Sequence, residues 1–243
     1  MYLKFLVIFL IYFLNYNSLA DSLSEEREFV ITAKISLLPA VKTMKINMDL
    51  KEKDDLTFNL NFDVNTLQLA DVVSKINGNG NVKGVKKNIY KPIEYSYDYI
   101  RNDKEKKVNI VYLNNKIKES NVYPEFDKTK LLEINKKDLI DTIDPATFFL
   151  NMLYYELTNN CTHNFKIFDG KRRYNIVFSK KVITETEIIC KAKQIKIGGY
   201  KKNKLNDADT SDYIYVKYNK SDYNFREYEA KSGNIIIKII ETS

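Results

Sequence analysis

The chain has 243 residues, 44% of them apolar, with 39 Lys and Arg against 32 Asp and Glu, a net charge of +7. That apolar share suffices for a packed core. One histidine and two cysteines leave little material for a transition-metal centre, and lysines spread singly, without an arginine stripe, argue against nucleic acid as a partner.

The first element is an export signal over residues 1–20. Lys4 precedes the apolar run Phe5 to Leu14, and Ser18 and Ala20 supply the small residues of a cleavage site. A spanning helix needs about 20 apolar residues, and Asn15 and Asn17 interrupt this run. Asp21 follows the expected cut, so no cysteine stands there for a lipid anchor. Residues 21–243 are read as one β-rich domain of the periplasm, with no transmembrane segment after signal cleavage.

Alternation with period two dominates the mature chain. Phe29, Ile31, Ala33, Ile35 and Leu37 make a strand ending near Pro39. Met44 to Leu50 and Leu56 to Val64 alternate apolar with polar residues across a charged turn at Lys51 to Asp55, a hairpin with one buried face. A helix capped by Asn65 or Thr66 is expected through Leu69, Val72, Val73 and Ile76, with Gly78 as its stop. A weak strand near Val82 and Val85 follows, then Ile93 to Tyr99 and Val108 to Tyr112 as strands joined by a charged turn at Asp103 to Lys107.

Asp138 to Ile143 reads as a short helical turn. Asp144-Pro145 gives an N-cap and a proline at the first helical position, starting an apolar helix to about Leu157. Strands resume at Phe165 and Ile167, and Asp169-Gly170 reads as a two-residue hairpin turn into Tyr174, Ile176 and Phe178. Further strands cover Ile188 to Ile197, Tyr213 to Tyr218, Asn224 to Tyr228 and Asn234 to Ile240, with a polar loop at Leu205 to Asp212. The expected architecture is mainly β (α+β): a curved antiparallel sheet or half-barrel of about 10–12 strands with two or three short helices packed on it.

Few residues invite chemistry. His163 has no nucleophile motif beside it, and its plain reading is a strand or loop histidine. Gly78-Asn79-Gly80 lacks the rest of any phosphate-loop pattern. Asn160-Cys161-Thr162 and Asn219-Lys220-Ser221 match the glycosylation pattern, and both matches are chance if the source is bacterial. No cofactor or metal is expected. An even cysteine count in an exported chain predicts a disulfide between Cys161 and Cys190, the alternative being two buried thiols. In Phe168-Asp169-Gly170-Lys171-Arg172-Arg173-Tyr174 three cations follow a turn: a docking edge for an anionic partner, or a set in which one arginine pairs internally.

Several ordered pieces resemble a known family, the exported bacterial proteins grouped as domain of unknown function 3108. They are Asp144-Pro145-Ala146, Cys161, the run Phe168 to Tyr174, Cys190, Gly199-Tyr200, the strand Pro92 to Arg101 and the closing hairpin Phe225 to Ile240. The resemblance implies a Gram-negative envelope protein with a curved, mostly antiparallel sheet. It implies no activity. A bent sheet with helices on its concave side is similar to periplasmic carriers of lipids and lipoproteins.

The leading functional expectation is a non-enzymatic binding protein for an apolar small molecule, a lipid or an envelope partner. Its cleft would be lined by Phe148, Phe149, Met152 and Tyr155, with Leu69 and Val73 from the earlier helix; the alternative is that all six are filled core. A second expectation is a structural or assembly protein docking through the basic hairpin Lys171 to Arg173. An enzyme is the third, with no catalytic residues to name.

Overall fold

The computed structural model describes residues 23–35, 39–53, 56–67, 75–202 and 213–242. The export signal, the helix core at Leu69, Val72 and Val73, and the polar loop at 205–212 lie outside these residues.

The alternating segments fold as the period predicts, because a strand buries one face and leaves the other in water. The first strands are β1 (Leu23–Ile35), β2 (Val41–Lys53) and β3 (Thr57–Thr66). The β2–β3 hairpin pairs Met48 with Phe62 and Leu50 with Leu60 across the buried face. Strand β1 begins at Leu23 rather than Phe29. Pairing extends the strand here where charged Glu25, Glu26 and Arg27 hide it from hydropathy.

Strand β4 (Ile76–Lys86) corrects two expectations. Ile76 opens a strand, and Gly78-Asn79-Gly80 is strand rather than a helix stop. The glycines make room for neighbouring aromatics. A Cβ at Gly80 would lie 2.2 Å from Cζ of Phe62, and one at Gly84 2.4 Å from Cε1 of Phe58. Strands β5 (Tyr90–Arg101), β6 (Lys104–Leu113) and β7 (Lys116–Tyr123) follow through tight turns at Asn102-Asp103 and Asn114-Asn115, all four residues with positive φ. The turn is therefore at Asn102-Asp103 and not over Asp103 to Lys107. The alternation did not disclose β7, an edge strand with only Ile117 and Val122 facing the core.

After β7 the chain leaves the sheet. It makes 3-10 turns at Lys128–Lys130 and Lys136–Leu139 and then the helix α1 (Pro145–Leu153). The helical turn expected over 138–143 thus sits a few residues earlier. Asp144 caps α1 as its sequence indicated, Oδ1 accepting from Thr147 N at 2.8 Å. The helix stops at Leu153 rather than Leu157. Tyr154 leaves helical geometry to pair its backbone with Asn224, and Tyr155–Thr158 is a separate 3-10 turn. One α-helix, not two or three, is present among the described residues.

The return half is β8 (Asn164–Phe168), β9 (Arg173–Ile183), β10 (Glu187–Gly198), β11 (Tyr213–Asn219), β12 (Phe225–Ser232) and β13 (Ile235–Glu241). All thirteen strands form one antiparallel sheet in the order β7-β6-β5-β4-β3-β2-β1-β13-β12-β11-β10-β9-β8. Each half is a meander, and β1 pairs with β13 to join them. The count exceeds the expected 10–12.

The free edges are β7 and β8, and residues 140–143 stitch them together. Ile140 bridges Lys116 in β7, and Asp141 N donates to Asn115 O at 2.8 Å. Three residues on, Ile143 bridges Ile167 in β8, donating to Lys166 O and accepting from Phe168 N. The sheet therefore curls around α1, whose side chains pack on its concave face: Phe149 meets Phe29 at 5.0 Å and Phe148 meets Phe165 at 5.4 Å. Asn151 fixes the helix to β5, accepting from Tyr90 N and donating to Tyr90 O and Thr147 O.

Candidate functional site

The two ends of the curled sheet are built differently. At one end α1 and the turn after it act as a plug. Tyr218 donates to Met152 O at 2.7 Å, and Tyr154 donates to Glu25. Glu52 occupies an inward position of β2 where the pattern calls for an apolar residue, and it is 4% exposed. It accepts from Tyr90 OH and from Lys86 Nζ, so a charge that would be costly alone is paired and hydrogen-bonded.

The disulfide lies at this end. Cys161 and Cys190 are bonded, with Cα atoms 5.0 Å apart. Cys190 is in β10, and Cys161 is in the turn before β8. His163 is half-buried against Phe165, and burial pushes its pKa down. Among the described residues no group of three His, Cys, Asp or Glu side chains could hold a metal ion.

At the other end a groove of about 1110 Å³ runs along the seam. One wall is the first half of β6 with the end of β7. The second is the strap between β7 and α1, and the third is the β8–β9 turn with Gly199 and Lys202 beyond β10. Its apolar lining includes Val122, Phe126, Leu131, Leu132, Ile134 and Phe168. The strap is held by Leu132, which donates to Tyr200 O and accepts from Gly199 N, and by a bridge between Leu131 and Lys201.

The β8–β9 turn is the clasp of this end. It spans four residues, Asp169 to Arg172, rather than two, and Phe168 pairs with Arg173 across it. Asp169 Oδ1 accepts from the backbone N of Lys171 and Arg172. Gly170, at φ +88°, packs onto Val108 of β6 and Val122 of β7, so the turn of one half of the sheet touches the far edge of the other. Gly199, at φ +78°, lies under the turn, where a Cβ would come within 1.9 Å of Lys171 O. Both positions demand glycine, for backbone conformation and for space.

The basic run divides. Lys171 lies over the Phe126 ring at 5.0 Å and Arg172 over Tyr200 at 5.8 Å. Arg173 is 2% exposed and donates to Asp138 O, Tyr174 O and Asn175 Oδ1. Lys171 and Arg172 belong to the turn, and only Arg173 belongs to the strand. A three-cation docking edge does not exist; Arg173 anchors the preceding segment.

The four expected cleft residues that the structure describes, Phe148, Phe149, Met152 and Tyr155, are not in this groove. Met152 and Tyr155 are buried core, Tyr155 packing on Tyr218 and Tyr223; Phe148 and Phe149 pack on Phe165 and Phe29. Leu69 and Val73 lie outside the described residues. Of the motif residues, Phe168, Gly170 and Lys171 do line the groove. The strap at 125–134 escaped the sequence reading, since it lacks any period. Its only local signals were Pro124 and the apolar set Phe126, Leu131, Leu132 and Ile134 in a charged stretch.

Fold and groove together define a curled antiparallel-sheet protein with one plugged end and one grooved end. The model of a family described as "Protein of unknown function (DUF3108)" matches residues 29–201. The chain belongs to that family, and the match spans the clasp, the strap and both cysteines. No curated protein sequence matches it.

Among solved structures the chain is similar to a β-barrel-like protein of domain of unknown function DUF1849 from Brucella abortus, at 8% identity and TM-score 0.47, covering 90% of this chain and 96% of that one. It is similar to a LolA superfamily protein from Nitrosomonas europaea, at 6% identity and TM-score 0.23, covering 90% and 84%. A DUF1329 family protein from Desulfovibrio piger matches at 6% identity and TM-score 0.22, covering 95% and 88%. These likenesses are distant and speak to neither ligand nor activity.

Proposed function

We propose that the protein is a non-enzymatic binding protein of the periplasm, reached through the signal at residues 1–20, and that it takes an apolar ligand into the seam groove. The observation that carries this reading is the groove itself. Its volume is about 1110 Å³, and apolar side chains from three separate parts of the chain converge on it. Ligand pockets typically measure about 300–1,000 Å³ and are mostly apolar with a few polar groups. Val122, Phe126, Leu132 and Ile134 are only partly buried, so apolar surface is there to be covered. A bound chain of methylenes would remove that surface from water at a gain of roughly 25 cal/mol per Å².

The test is native mass spectrometry, with solvent extraction, of the full chain expressed with its own signal and purified from the envelope fraction of a Gram-negative host. An apolar adduct released on denaturation is expected. A protein that emerges bare and takes up no apolar compound in vitro contradicts the reading.

A further inference from the structure

The groove carries information on the head group of its ligand as well as on its apolar part. Four lysines line it, Lys107, Lys128, Lys171 and Lys202, against two glutamates, Glu125 and Glu133. Lys107 is paired with Glu105 at 2.9 Å. Among the described residues, no carboxylate lies within ion-pair distance of Lys128, Lys171 or Lys202. They come from three distant parts of the chain: the strap, the β8–β9 turn and the segment after β10. Elsewhere the lysines that face carboxylates are paired, as Lys86 is with Glu52 and Lys217 and Lys238 are with Glu227.

Lys171 is also positioned. Its backbone N is held by Asp169 Oδ1 at 2.9 Å, and its ammonium rests over the Phe126 ring. A cation over an aromatic face keeps its charge and loses some freedom of its flexible stem. It therefore stands at the junction of the apolar floor, through Phe126, and the charged border.

Resting on the reading of the groove as an apolar binding site, we infer that its ligand is a long-chain amphiphile with an anionic head group. The chain lies along Val122, Phe126, Leu132 and Phe168, and the head group meets Lys128, Lys171 and Lys202. Charge complementarity selects this class over neutral and cationic amphiphiles, because an ammonium head group would meet like charge in the same place.

The experiment is calorimetric titration of the full chain with three probes of one chain length, each below its critical micelle concentration: dodecyl phosphate, dodecyl glycerol and dodecyltrimethylammonium. At low salt, dodecyl phosphate should bind about tenfold more tightly than dodecyl glycerol, the sum of a few exposed charge contacts. Dodecyltrimethylammonium should bind most weakly. The phosphate's advantage should shrink as salt is raised. The variant Lys128→Gln, Lys171→Gln, Lys202→Gln should lose the advantage, binding dodecyl phosphate no more tightly than dodecyl glycerol, with circular dichroism and a cooperative denaturation curve showing that the variant is folded.

Equal affinity for phosphate and glycerol probes overturns the head-group inference and leaves the apolar groove standing. An advantage that survives in the triple variant overturns it too. If none of the probes binds, both the inference and the reading beneath it fail.

Discussion

The plugged end and the grooved end are built from the same thirteen strands, yet one is filled and the other is not. At the plugged end Met152, Leu153, Tyr155 and Tyr218 are each less than a twentieth exposed. A disulfide, a helix and a buried Glu52–Tyr90 pair hold them. At the grooved end the closing elements are irregular: a strap with two short 3-10 turns and a four-residue turn, fixed by glycines and backbone hydrogen bonds. A helix brings a continuous stripe of side chains that can fill a concave sheet. A strap crossing the seam touches it at a few points and leaves volume between them. Stability is thus concentrated at one end and accessible apolar surface at the other.

If that division is right, damage to the plug should cost stability without touching binding. The largest effect is expected from Cys161→Ser with Cys190→Ser. The bond closes a separation of 29 residues, and releasing it should cost roughly 3–4 kcal/mol on the chain-entropy account. Urea denaturation of oxidised wild type and double variant measures this. Equal midpoints would mean that the plugged end does not rest on the bond.

Next in size is Asn151→Leu. The side chain satisfies both the N–H and the C=O of Tyr90 in a fully buried place. Leucine fits the volume and leaves both groups unpaired, at about 2–3 kcal/mol. Denaturation again gives the answer, and a loss under about 0.5 kcal/mol, the usual range of surface substitutions, would deny that this contact locks helix to sheet.

Damage to the clasp should instead reach binding as well as stability. Gly170→Ala pushes a methyl to 2.8 Å from Val108 Cγ1 at a left-handed backbone position. We expect about 1–2 kcal/mol of lost stability together with weakened ligand binding, since the turn forms a wall of the groove. An unchanged affinity would separate the clasp from the site.

A smaller effect concerns pH. Burial pushes the Asp144 carboxyl up to about 6, against the hydrogen bonds from Thr147 that favour its charged form. Its proton is held more tightly in the folded chain than in the unfolded one. Its contribution to stability is therefore greatest below about pH 4 and is lost as pH rises through about 6. Asp144→Asn keeps an acceptor for Thr147 N and should flatten the stability curve in that window. An identical curve would mean that Asp144 does not titrate there.

The plugged end was the more legible of the two in the sequence. Asp144-Pro145 announced the helix, the paired cysteines announced the bond, and Met48, Leu50, Leu60 and Phe62 announced the buried face. These are local or periodic signals. The groove arises from contacts between residues far apart, such as Gly170 with Val108 and Leu132 with Tyr200, which no period encodes. The motif Phe168 to Tyr174 was visible as a string but not as a clasp, because Arg173 turns inward only once Asp138 O is there to receive it. Conversely, an apolar helix suggested a cleft beside Met152 and Tyr155, which the structure buries in the core.

The most direct measurement is binding of the apolar fluorophore N-phenyl-1-naphthylamine to three forms of the protein: wild type, Leu132→Arg in the groove, and Cys161→Ser with Cys190→Ser at the plug, all under conditions where each is folded. The account predicts one site per chain in wild type, its loss in Leu132→Arg, and unchanged affinity in the cysteine variant. Undiminished binding by Leu132→Arg, or loss of binding in the folded cysteine variant alone, would put the site at the plugged end and contradict it.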